Sequence, residues 1–224
     1  MKIGVLMWCD EHTAKKYGNI SYQINKLYCD KHGYDLIFSS KRRQKRDELP
    51  WEKIPMVIEY IDKYDYTIWI DTDAHFYIDK GPLEDIIKQC PGAHFIFSED
   101  QETVIASCYE CYEVRDRKSS HRLNSGIFIV KNTKEARQIL TKWAYDDTLY
   151  SLQRANWEQG VLQEMWKTNM LNINDLSVII PYGILQNFSK KPEKMPYIRH
   201  FAGTFKTSIK QTFETYFNEI TIAR

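Results

Sequence analysis

The sequence predicts a single α/β domain, residues 1–224, in which a mostly parallel sheet is flanked by helices. Short apolar runs of strand length alternate with segments of helical periodicity, which is typical of parallel sheets with right-handed connections. A chain of 224 residues is long enough for one domain with a sizeable core and short for two. Its 43% hydrophobic residues further indicate a globular protein rather than a disordered or fibrous one.

The first half of the chain supplies three predicted strands and two predicted helices. The strands are residues 2–9, 34–38 and 67–70, and the helices are residues 13–32 and 52–64. In the first helix Ile20, Ile24 and Leu27 recur at helical spacing, and Gly33 is a residue typical of helix ends. The cationic run KRRQKRDE at 41–48 is predicted to be a solvated loop, with contact to an anionic substrate as the alternative.

The second half of the chain is predicted to add three strands and three helices. The strands are residues 94–100, 123–131 and 178–181, and the helices are residues 83–90, 133–150 and 157–168. A polar amphipathic tail follows at 206–220. The polar stretch 101–121 has no clear period, and we expect it to form a loop over the functional site.

Composition and charge narrow the classes of partner. The net charge of +1 gives no reason to expect nucleic acid or an anionic membrane as partner. No apolar run approaches the roughly 18 residues that span a bilayer, and the first residues, MKIGVLMWCD, are predicted to be a strand rather than a signal peptide. Five cysteines, an odd number without a spaced framework, favour reduced thiols and a cytoplasmic location. Cys108 and Cys111 form a lone C-x-x-C pair that no second pair completes as a zinc site.

The functional site is predicted around residues 66–77, which read YTIWIDTDAHFY. Four large, branched or aromatic residues at 67–70 are typical of a strand buried on both faces of a sheet. The run stops at Asp71 and Asp73, and open parallel sheets bind ligands beyond the carboxyl ends of their strands. Two carboxylates placed there by a stiff strand need a positive partner. A divalent cation that carries phosphate groups fits this requirement.

Two other interpretations of the Asp-x-Asp pair remain open on the sequence. Asp71 could cap the turn after its strand, since aspartate bonds readily to nearby backbone amides. A phosphohydrolase of the haloacid dehalogenase type would use Asp71 as its nucleophile, because that aspartate also follows an apolar strand in an Asp-x-Asp. That class usually has the motif on its first strand, whereas two predicted strands precede it here.

His200 is the candidate for a third metal ligand. It begins the segment HFAGTFK, in which Gly203 lets backbone approach a bulky ligand and Lys206 supplies a point charge suited to phosphate. Two carboxylates and one imidazole favour Mn²⁺, with Mg²⁺ as the alternative, because imidazole suits transition metals better than Mg²⁺.

With the rest of the chain, these motifs resemble the GT-A-fold glycosyltransferases that use a nucleotide-diphosphate sugar, and among them family 34, the galactosyl-, mannosyl- and xylosyltransferases. The resemblance is carried by NKLYCDKHGYDLIF at 25–38, WEKIP at 51–55, YDYTIWIDTDA at 64–74, LNSGIFIVKN at 123–132, WEQGVLQ at 157–163, IIPYGILQNF at 179–188 and HFAGTFK at 200–206. The later segments also follow the order of the related retaining enzymes of family 8. The resemblance implies a Rossmann-like, mostly parallel twisted sheet flanked by helices.

The resemblance also implies roles for the residues that match its motifs. Asp71 and Asp73 look like the metal and ribose contacts, and His200 looks like the third metal ligand. Lys206, which follows Gly203, resembles the lysine that holds the leaving diphosphate.

Further residues resemble those that contact the donor. Lys53 matches a lysine near the nucleotide, and Asn124 matches an asparagine near the donor sugar. Glu158 and Gln159 fall where family 8 has an Asp-Gln pair beside the anomeric carbon, although glutamate here replaces the commoner aspartate. The nucleobase pocket would be lined by the end of the first strand, at Met7, Trp8 and Cys9.

The implied activity is metal-assisted transfer of a sugar from a UDP-sugar donor to a glycan or glycoprotein acceptor. If anomeric configuration is retained, as the likeness to family 34 favours, Gln159 would face the sugar opposite the leaving group. If it is inverted, a carboxylate such as Glu99, Asp100 or Glu158 would act as base.

A non-catalytic sugar-binding module is a further alternative, and it would keep carbohydrate binding after Asp73→Asn. The chain also departs from the family pattern, because no tryptophan follows soon after residue 206, and we expect it to differ from the Golgi members in having no amino-terminal anchor.

Overall fold

A six-stranded sheet runs through the centre of the computed structural model, which describes residues 1–100, 123–151, 156–188, 195–202 and 208–222. The strands are β1 (Ile3–Trp8), β2 (Asp35–Ser39), β3 (Tyr66–Ile70), β4 (Ala74–Phe76), β5 (Phe95–Glu99), β6 (Leu123–Lys131), β7 (Ser177–Ile180), β8 (Gln186–Asn187) and β9 (Ile198–His200). The central sheet has the order β2-β1-β3-β6-β5-β7, and a smaller sheet has the order β4-β9-β8.

Helices pack against this sheet, so the predicted α/β class is confirmed. The helices are α1 (Asn19–His32), α2 (Lys53–Tyr60), α3 (Glu84–Lys88), α4 (Lys134–Tyr145), α5 (Asp147–Ser151), α6 (Trp157–Lys167) and α7 (Ile209–Ile222). Shorter helical turns are Glu11–Thr13 and Ala14–Gly18 before α1, Leu49–Glu52 and Ile61–Lys63 on either side of α2, and Met170–Asn172 after α6.

The central sheet is mostly parallel, as predicted, with β6 as the reversed strand. β1 pairs in parallel with β2 and β3, and β5 pairs in parallel with β7. β6 runs antiparallel to both β3 and β5. Its first residues therefore meet the carboxyl end of β3, where Ile70 pairs with Ile127 and the Asp71 amide donates to the Gly126 carbonyl at 2.9 Å. This reversal sets the edge at which polar side chains converge.

Alternating residues of the strands divide between two apolar cores. In β3, Trp69 points to the core shared with α2, α4 and α6, whereas Ile68 and Ile70 point to the core shared with α1 and α3. β1 follows the same alternation, because Trp8 faces the first core and Met7 the second. Each large apolar side chain buried in this way contributes roughly 1.5–3 kcal/mol to folding.

The single helix predicted for residues 133–150 is wrong, since the chain forms α4 and α5 with a break at Asp146. The backbone of Asp146 is extended, with φ −80° and ψ 110°, which ends α4 after Tyr145. Its carboxylate then accepts from the Leu149 amide at 2.9 Å and satisfies one of the free N–H groups at the start of α5. At the end of α1, by contrast, Gly33 adopts a left-handed φ of 73° and ends the helix as predicted.

The smaller sheet was not predicted from the sequence. Its strands are two or three residues long, and β4 pairs antiparallel with β9 so that Ala74 lies opposite His200. β8 pairs in parallel with β9, with Gln186 opposite Ile198. This sheet joins the turn after β3 to a segment from late in the chain.

The prediction that residues 41–48 form a solvated loop is wrong at two of its arginines. Arg43 is only 6% exposed in its side chain, and its Nε lies 2.6 Å from the Glu59 carboxylate. The Arg46 guanidinium lies over the rings of Trp51 and Tyr150, 4.5 and 4.0 Å from their centroids. These contacts tie the loop to α2 and α5.

Several sequence predictions concern segments that the structure leaves undescribed. The expected loop at 101–121, with Cys108 and Cys111, lies outside the described residues. Within them, Cys9, Cys29 and Cys90 are buried and free of disulfides. No helix of the described ranges is long and apolar enough to cross a membrane.

Candidate active site

A cavity of about 540 Å³ opens at the carboxyl ends of β1 and β3. Asp71 and Asp73 line it from the turn after β3, and His200 lines it from the end of β9. Further parts of the wall are residues 124–126 near the start of β6 and residues 156–159 at and just before the start of α6. Its position is the one at which open α/β sheets bind ligands.

The two aspartates and His200 form one cluster in this cavity. Each can offer one ligand atom such that all three atoms lie within 4.8 Å of one another. His200 Nε2 is 3.3 Å from Asp73 Oδ1 and 4.0 Å from Asp71 Oδ2. The backbone enforces this approach, because the Ala74 amide donates to the Asp71 carbonyl at 3.0 Å and the Phe201 amide donates to the Asp73 carbonyl at 2.9 Å.

A buried glutamine orients the imidazole of His200. Gln186 Oε1 lies 2.8 Å from His200 Nδ1, and both side chains are almost fully buried. When Nδ1 carries the proton and donates it to Gln186, Nε2 presents a lone pair to the aspartates. Burial alone would lower the pKa of His200, but the hydrogen bond and charge of Asp73, with the charge of Asp71, raise it above its usual value.

Gly126 makes room for the cluster. A Cβ atom at this position would lie 2.3 Å from His200 Cε1, a distance that Cβ atoms in real structures essentially never show. It would also lie 3.0 Å from Asp71 Oδ2. Any larger residue would therefore displace one of the two side chains. Gly126 lies within the segment LNSGIFIVKN that carries the resemblance, but its role depends on a contact between β6 and β9 that the sequence does not reveal.

The donor set of this cluster fits a divalent cation. Two carboxylates and one imidazole with its second nitrogen bound are the ligands and the orientation that such cations require. Asp71 and Asp73 remain partly exposed in their side chains, at 31% and 20%, so the cavity gives a cation and a ligand access to them.

Lys53 lies beside Asp71 and is almost completely buried. Its Nζ lies 2.7 Å from Glu158 Oε1, 3.2 Å from Asp71 Oδ1 and 3.1 Å from the Ser125 carbonyl. Asp71 Oδ1 also accepts from the Trp69 indole N–H at 2.6 Å. Burial would lower the pKa of Lys53, but the charges of Asp71 and Glu158 raise it, so the lysine remains cationic.

Glu158 faces Lys53 rather than open solvent. Glu158 is 3% exposed. Its Oε1 accepts a hydrogen bond from the Ser125 hydroxyl at 3.0 Å, in addition to the contact with the Lys53 ammonium group. Among the described residues its buried Oε2 has no hydrogen-bond partner. Burial raises the pKa of Glu158, and the neighbouring Lys53 opposes that rise.

Gln159 links the start of β6 to the end of β5. Its Oε1 accepts from the Ser125 amide at 2.9 Å, and its Nε2 donates to Asp100 Oδ2 at 3.4 Å. Asn124 also lines the cavity, and its Oδ1 accepts from the Gly126 amide at 2.9 Å. Asp100 itself is buried and touches the site through Gln159.

The opposite side of the cavity is formed by the end of β1 and the turns before α1. Trp8 and Cys9 line it together with Tyr17, and Thr72 anchors this edge because its hydroxyl donates to the Trp8 carbonyl at 2.7 Å. Burial raises the pKa of Cys9 to about 11, so its side chain is a neutral thiol at neutral pH. Tyr17 was not singled out from the sequence, since its position becomes apparent only when the turn Ala14–Gly18 lies beside Cys9 and Thr72.

The remaining predicted site residues lie elsewhere. Met7 is fully buried in the core on the other face of the sheet and does not line the cavity, because neighbouring strand residues point to opposite faces. Gly203 and Lys206 lie outside the described residues. The structure thus brings nine of the predicted residues together around one cavity, namely Trp8, Cys9, Lys53, Asp71, Asp73, Asn124, Glu158, Gln159 and His200.

Comparison with known sequences identifies one matching family. The model of the galactosyl transferase GMA12/MNN10 family matches residues 2–208. Two probable xyloglucan 6-xylosyltransferases of Arabidopsis thaliana, numbered 5 and 3, are 27% and 24% identical over 139 residues. Each match covers 61% of this chain but only 28% of the relative's length.

Comparison with solved structures supports the same fold. A glycosyltransferase involved in glycosylation of the major capsid of PBCV-1 superposes with a TM-score of 0.72 at 15% identity, covering 96% of this chain and 100% of the other. The glycosyltransferase GlyE of Streptococcus pneumoniae TIGR4 gives a TM-score of 0.55 at 15% identity, with 96% and 60% covered. At this identity the likeness concerns the fold alone.

Proposed function

Since the chain belongs to the galactosyl transferase GMA12/MNN10 family, we propose that it is a metal-dependent glycosyltransferase that moves a sugar from a UDP-sugar donor to a glycan or glycoprotein acceptor. We further propose that residues 1–224 act as one catalytic domain and that the reaction retains anomeric configuration. The observation that carries the proposal is the cluster of Asp71, Asp73 and His200 in a cavity at the carboxyl edge of the sheet.

The proposed metal ligands are Asp71, Asp73 and His200, with Mn²⁺ as the first choice and Mg²⁺ as the alternative. A bound divalent cation would act as a Lewis acid on the departing diphosphate. The chain's own contribution is to hold the three ligands without a large rearrangement, through Gln186 behind His200 and the indole of Trp69 behind Asp71. Lys206 and Gly203 are proposed to contact the diphosphate.

The proposed nucleotide contacts are Trp8 and Cys9 at the end of β1, together with Lys53, and all three line the cavity. Tyr17 adds a buried aromatic ring that the sequence did not suggest. In ligand pockets generally, aromatic and aliphatic groups supply most of the contact area and a few polar groups set orientation.

The sugar to be transferred would lie near Asn124 and Gln159. Retention is supported by the arrangement around Gln159, whose amide is fixed by Ser125 and Asp100 and lines the cavity. The inverting alternative needs a free carboxylate as base. Glu158 fits that role poorly, because its carboxylate is buried and paired with the ammonium group of Lys53.

The names of the similar proteins suggest substrates to test first. The xyloglucan 6-xylosyltransferases make UDP-xylose and a glucan the first donor and acceptor to examine. The capsid enzyme makes a glycoprotein the second kind of acceptor. We propose a reducing compartment such as the cytoplasm, which is supported by the free, buried thiols of Cys9, Cys29 and Cys90.

Calorimetric titration with UDP tests the proposed function directly. We expect binding that requires Mn²⁺, is abolished by EDTA and weakens about tenfold or more, about 1.4 kcal/mol, in His200→Ala. His94→Ala is the matched control, since His94 lies at the other end of the sheet and contacts Thr133. Failure of the unmodified protein to bind UDP with or without metal would overturn the proposal and lead to tests of phosphohydrolase activity at Asp71.

A further inference from the structure

The Lys53–Glu158 pair lies directly behind one of the proposed metal ligands. Building on the proposed function, we propose that Glu158 is a positioning residue that balances the charge of Lys53 and thereby leaves the Asp71 carboxylate available to a divalent cation. Glu158 would then control metal affinity without contacting the metal or the substrate.

Geometry places Lys53 between two carboxylates. Its Nζ is 2.7 Å from Glu158 Oε1 and 3.2 Å from Asp71 Oδ1, and the Ser125 carbonyl at 3.1 Å is a third acceptor. An ammonium group has three N–H donors, so these three acceptors use all of them. The shorter contact is to Glu158, which is also the more buried carboxylate, with 4% of its side chain exposed against 31% for Asp71.

Charge balance explains why both carboxylates are needed. A buried ammonium group is costly unless an anion compensates it closely. When a divalent cation takes up the charge of Asp71, Glu158 remains as the anion beside Lys53. Without the charge of Glu158, Lys53 and the cation would compete for the single carboxylate of Asp71, and cation binding would leave a buried positive charge uncompensated.

The environment of Glu158 favours this role over direct chemistry. Oε1 is already shared between Lys53 and the Ser125 hydroxyl, and Oε2 is buried without a hydrogen-bond partner among the described residues. A half-satisfied buried carboxylate is unfavourable as a hydrogen-bonding group. What the site gains from it is therefore its negative charge next to Lys53.

The experiment measures binding of Mn²⁺ alone to metal-stripped protein by calorimetry, in the unmodified chain, Glu158→Gln and the double variant Lys53→Met with Glu158→Gln. We expect the dissociation constant of Glu158→Gln to rise about tenfold or more, because Lys53 then occupies Asp71. In the double variant the competing charge is gone, and we expect Mn²⁺ to bind no more weakly than in the unmodified protein. Methionine fills the volume of the lysine stem, and glutamine can still accept from Ser125.

Glu164→Gln is the matched control, because it removes the same charge from the same helix at a residue whose cationic neighbour is Lys167. An unchanged dissociation constant in Glu158→Gln would overturn the inference, and so would a double variant that stays as weak as Glu158→Gln. If circular dichroism shows that Glu158→Gln does not fold, the double variant alone tests the inference. A double variant that binds Mn²⁺ about tenfold more weakly than the unmodified protein would then contradict it. An unmodified protein that binds UDP but not Mn²⁺ would overturn the proposed metal dependence together with this inference, whereas normal Mn²⁺ binding in all variants would overturn the inference alone.

Discussion

The Nε2 atom of His200 lies 3.3 Å from Oδ1 of Asp73, across the antiparallel pair that β4 forms with β9. The two residues lie far apart in the sequence, and the smaller sheet is what brings them together. A cation bound between them would link the turn after β3 to the segment that precedes α7. Metal binding and folding of this region should therefore be coupled.

This coupling predicts that Mn²⁺ stabilises the folded protein. With Mn²⁺ at 100 times its dissociation constant, the free energy of unfolding should rise by about 2.7 kcal/mol over its value in EDTA. Asp73→Asn should lose most of this increase, whereas Asp175→Asn, an exposed aspartate far from the cavity, should keep it. Urea unfolding followed by circular dichroism measures the difference. Equal stabilities of the unmodified protein with Mn²⁺ and with EDTA would contradict the prediction.

Gly126→Ala should damage the site through packing alone. The added Cβ would lie 2.3 Å from His200 Cε1, so the imidazole or β6 must move. We expect a loss of roughly 1–3 kcal/mol in the free energy of unfolding, typical of overpacked sites, together with weaker Mn²⁺ binding. Gly81→Ala is the control, because its Cβ would meet only the Asp85 carboxylate at 3.1 Å and the Tyr197 hydroxyl at 3.8 Å. Wild-type stability and metal affinity in Gly126→Ala would show that the cluster tolerates the shift.

The central sheet could be predicted from the sequence because its strands carry strong local signals. The apolar run at 67–70 and the run at 127–130 are buried on both faces, and such runs are distinctive. The aspartates at the end of β3 then follow from the position of ligand sites in open sheets. The prediction that Met7 lines the pocket was wrong because neighbouring strand residues point to opposite faces of the sheet. Trp8 lies on the cavity side of β1, so Met7 faces the other core.

The rest of the site depends on contacts that leave no local pattern. The strands β8 and β9 are two and three residues long, too short for a periodic signal, so the role of Gln186 behind His200 was not foreseen. Lys53 and Glu158 lie on different helices, and their 2.7 Å contact arises only when both helices pack on the same face of the sheet. The break at Asp146 could have been read from its capping tendency, but the surrounding apolar period suggested one continuous helix.

His75 predicts how stability depends on pH. His75 is 1% exposed, and its ring is stacked on Tyr216 with the ring centroids 4.5 Å apart. Burial lowers the pKa of His75 to about 4. The hydrogen bond to the Phe76 carbonyl opposes this shift, and the charge of Arg199 adds to it. In the unfolded chain the pKa of histidine is about 6.5. Because the folded pKa is the lower one, the stability due to neutral His75 is fully present above about pH 6.5 and is lost as the pH falls towards about 4.

This loss should be on the order of 3 kcal/mol at its full extent. His75→Phe keeps an aromatic ring against Tyr216 and removes the titrating group, so its stability should fall less between neutral pH and about pH 4. Urea unfolding in EDTA over this pH range makes the comparison free of metal binding. Parallel pH profiles for the two proteins would contradict the assignment to His75.

Gln159 should affect the chemical step rather than donor binding. Its amide is fixed by the Ser125 amide and by Asp100, and it lines the cavity beside the proposed position of the sugar. Since such a group acts on charge that develops during the reaction, Gln159→Ala should lower kcat on the order of a hundredfold. Binding of UDP and Mn²⁺ should be unchanged within error, because the proposed metal ligands do not contact Gln159. Gln138→Ala, an exposed amide on α4, should leave both quantities as in the unmodified protein.

The sugar-transfer reaction also tests the proposal that anomeric configuration is retained. Proton NMR of the first product formed from UDP-xylose, recorded before mutarotation, should show that the anomeric configuration of the donor is retained. An inverted product would instead require a carboxylate base, and Asp100 would then be the residue to replace, since it lies 3.4 Å from the Gln159 amide nitrogen, whereas Glu158 is occupied by Lys53. If the product is inverted and Asp100→Asn lowers kcat more than Gln159→Ala does, the catalytic base would be assigned to Asp100.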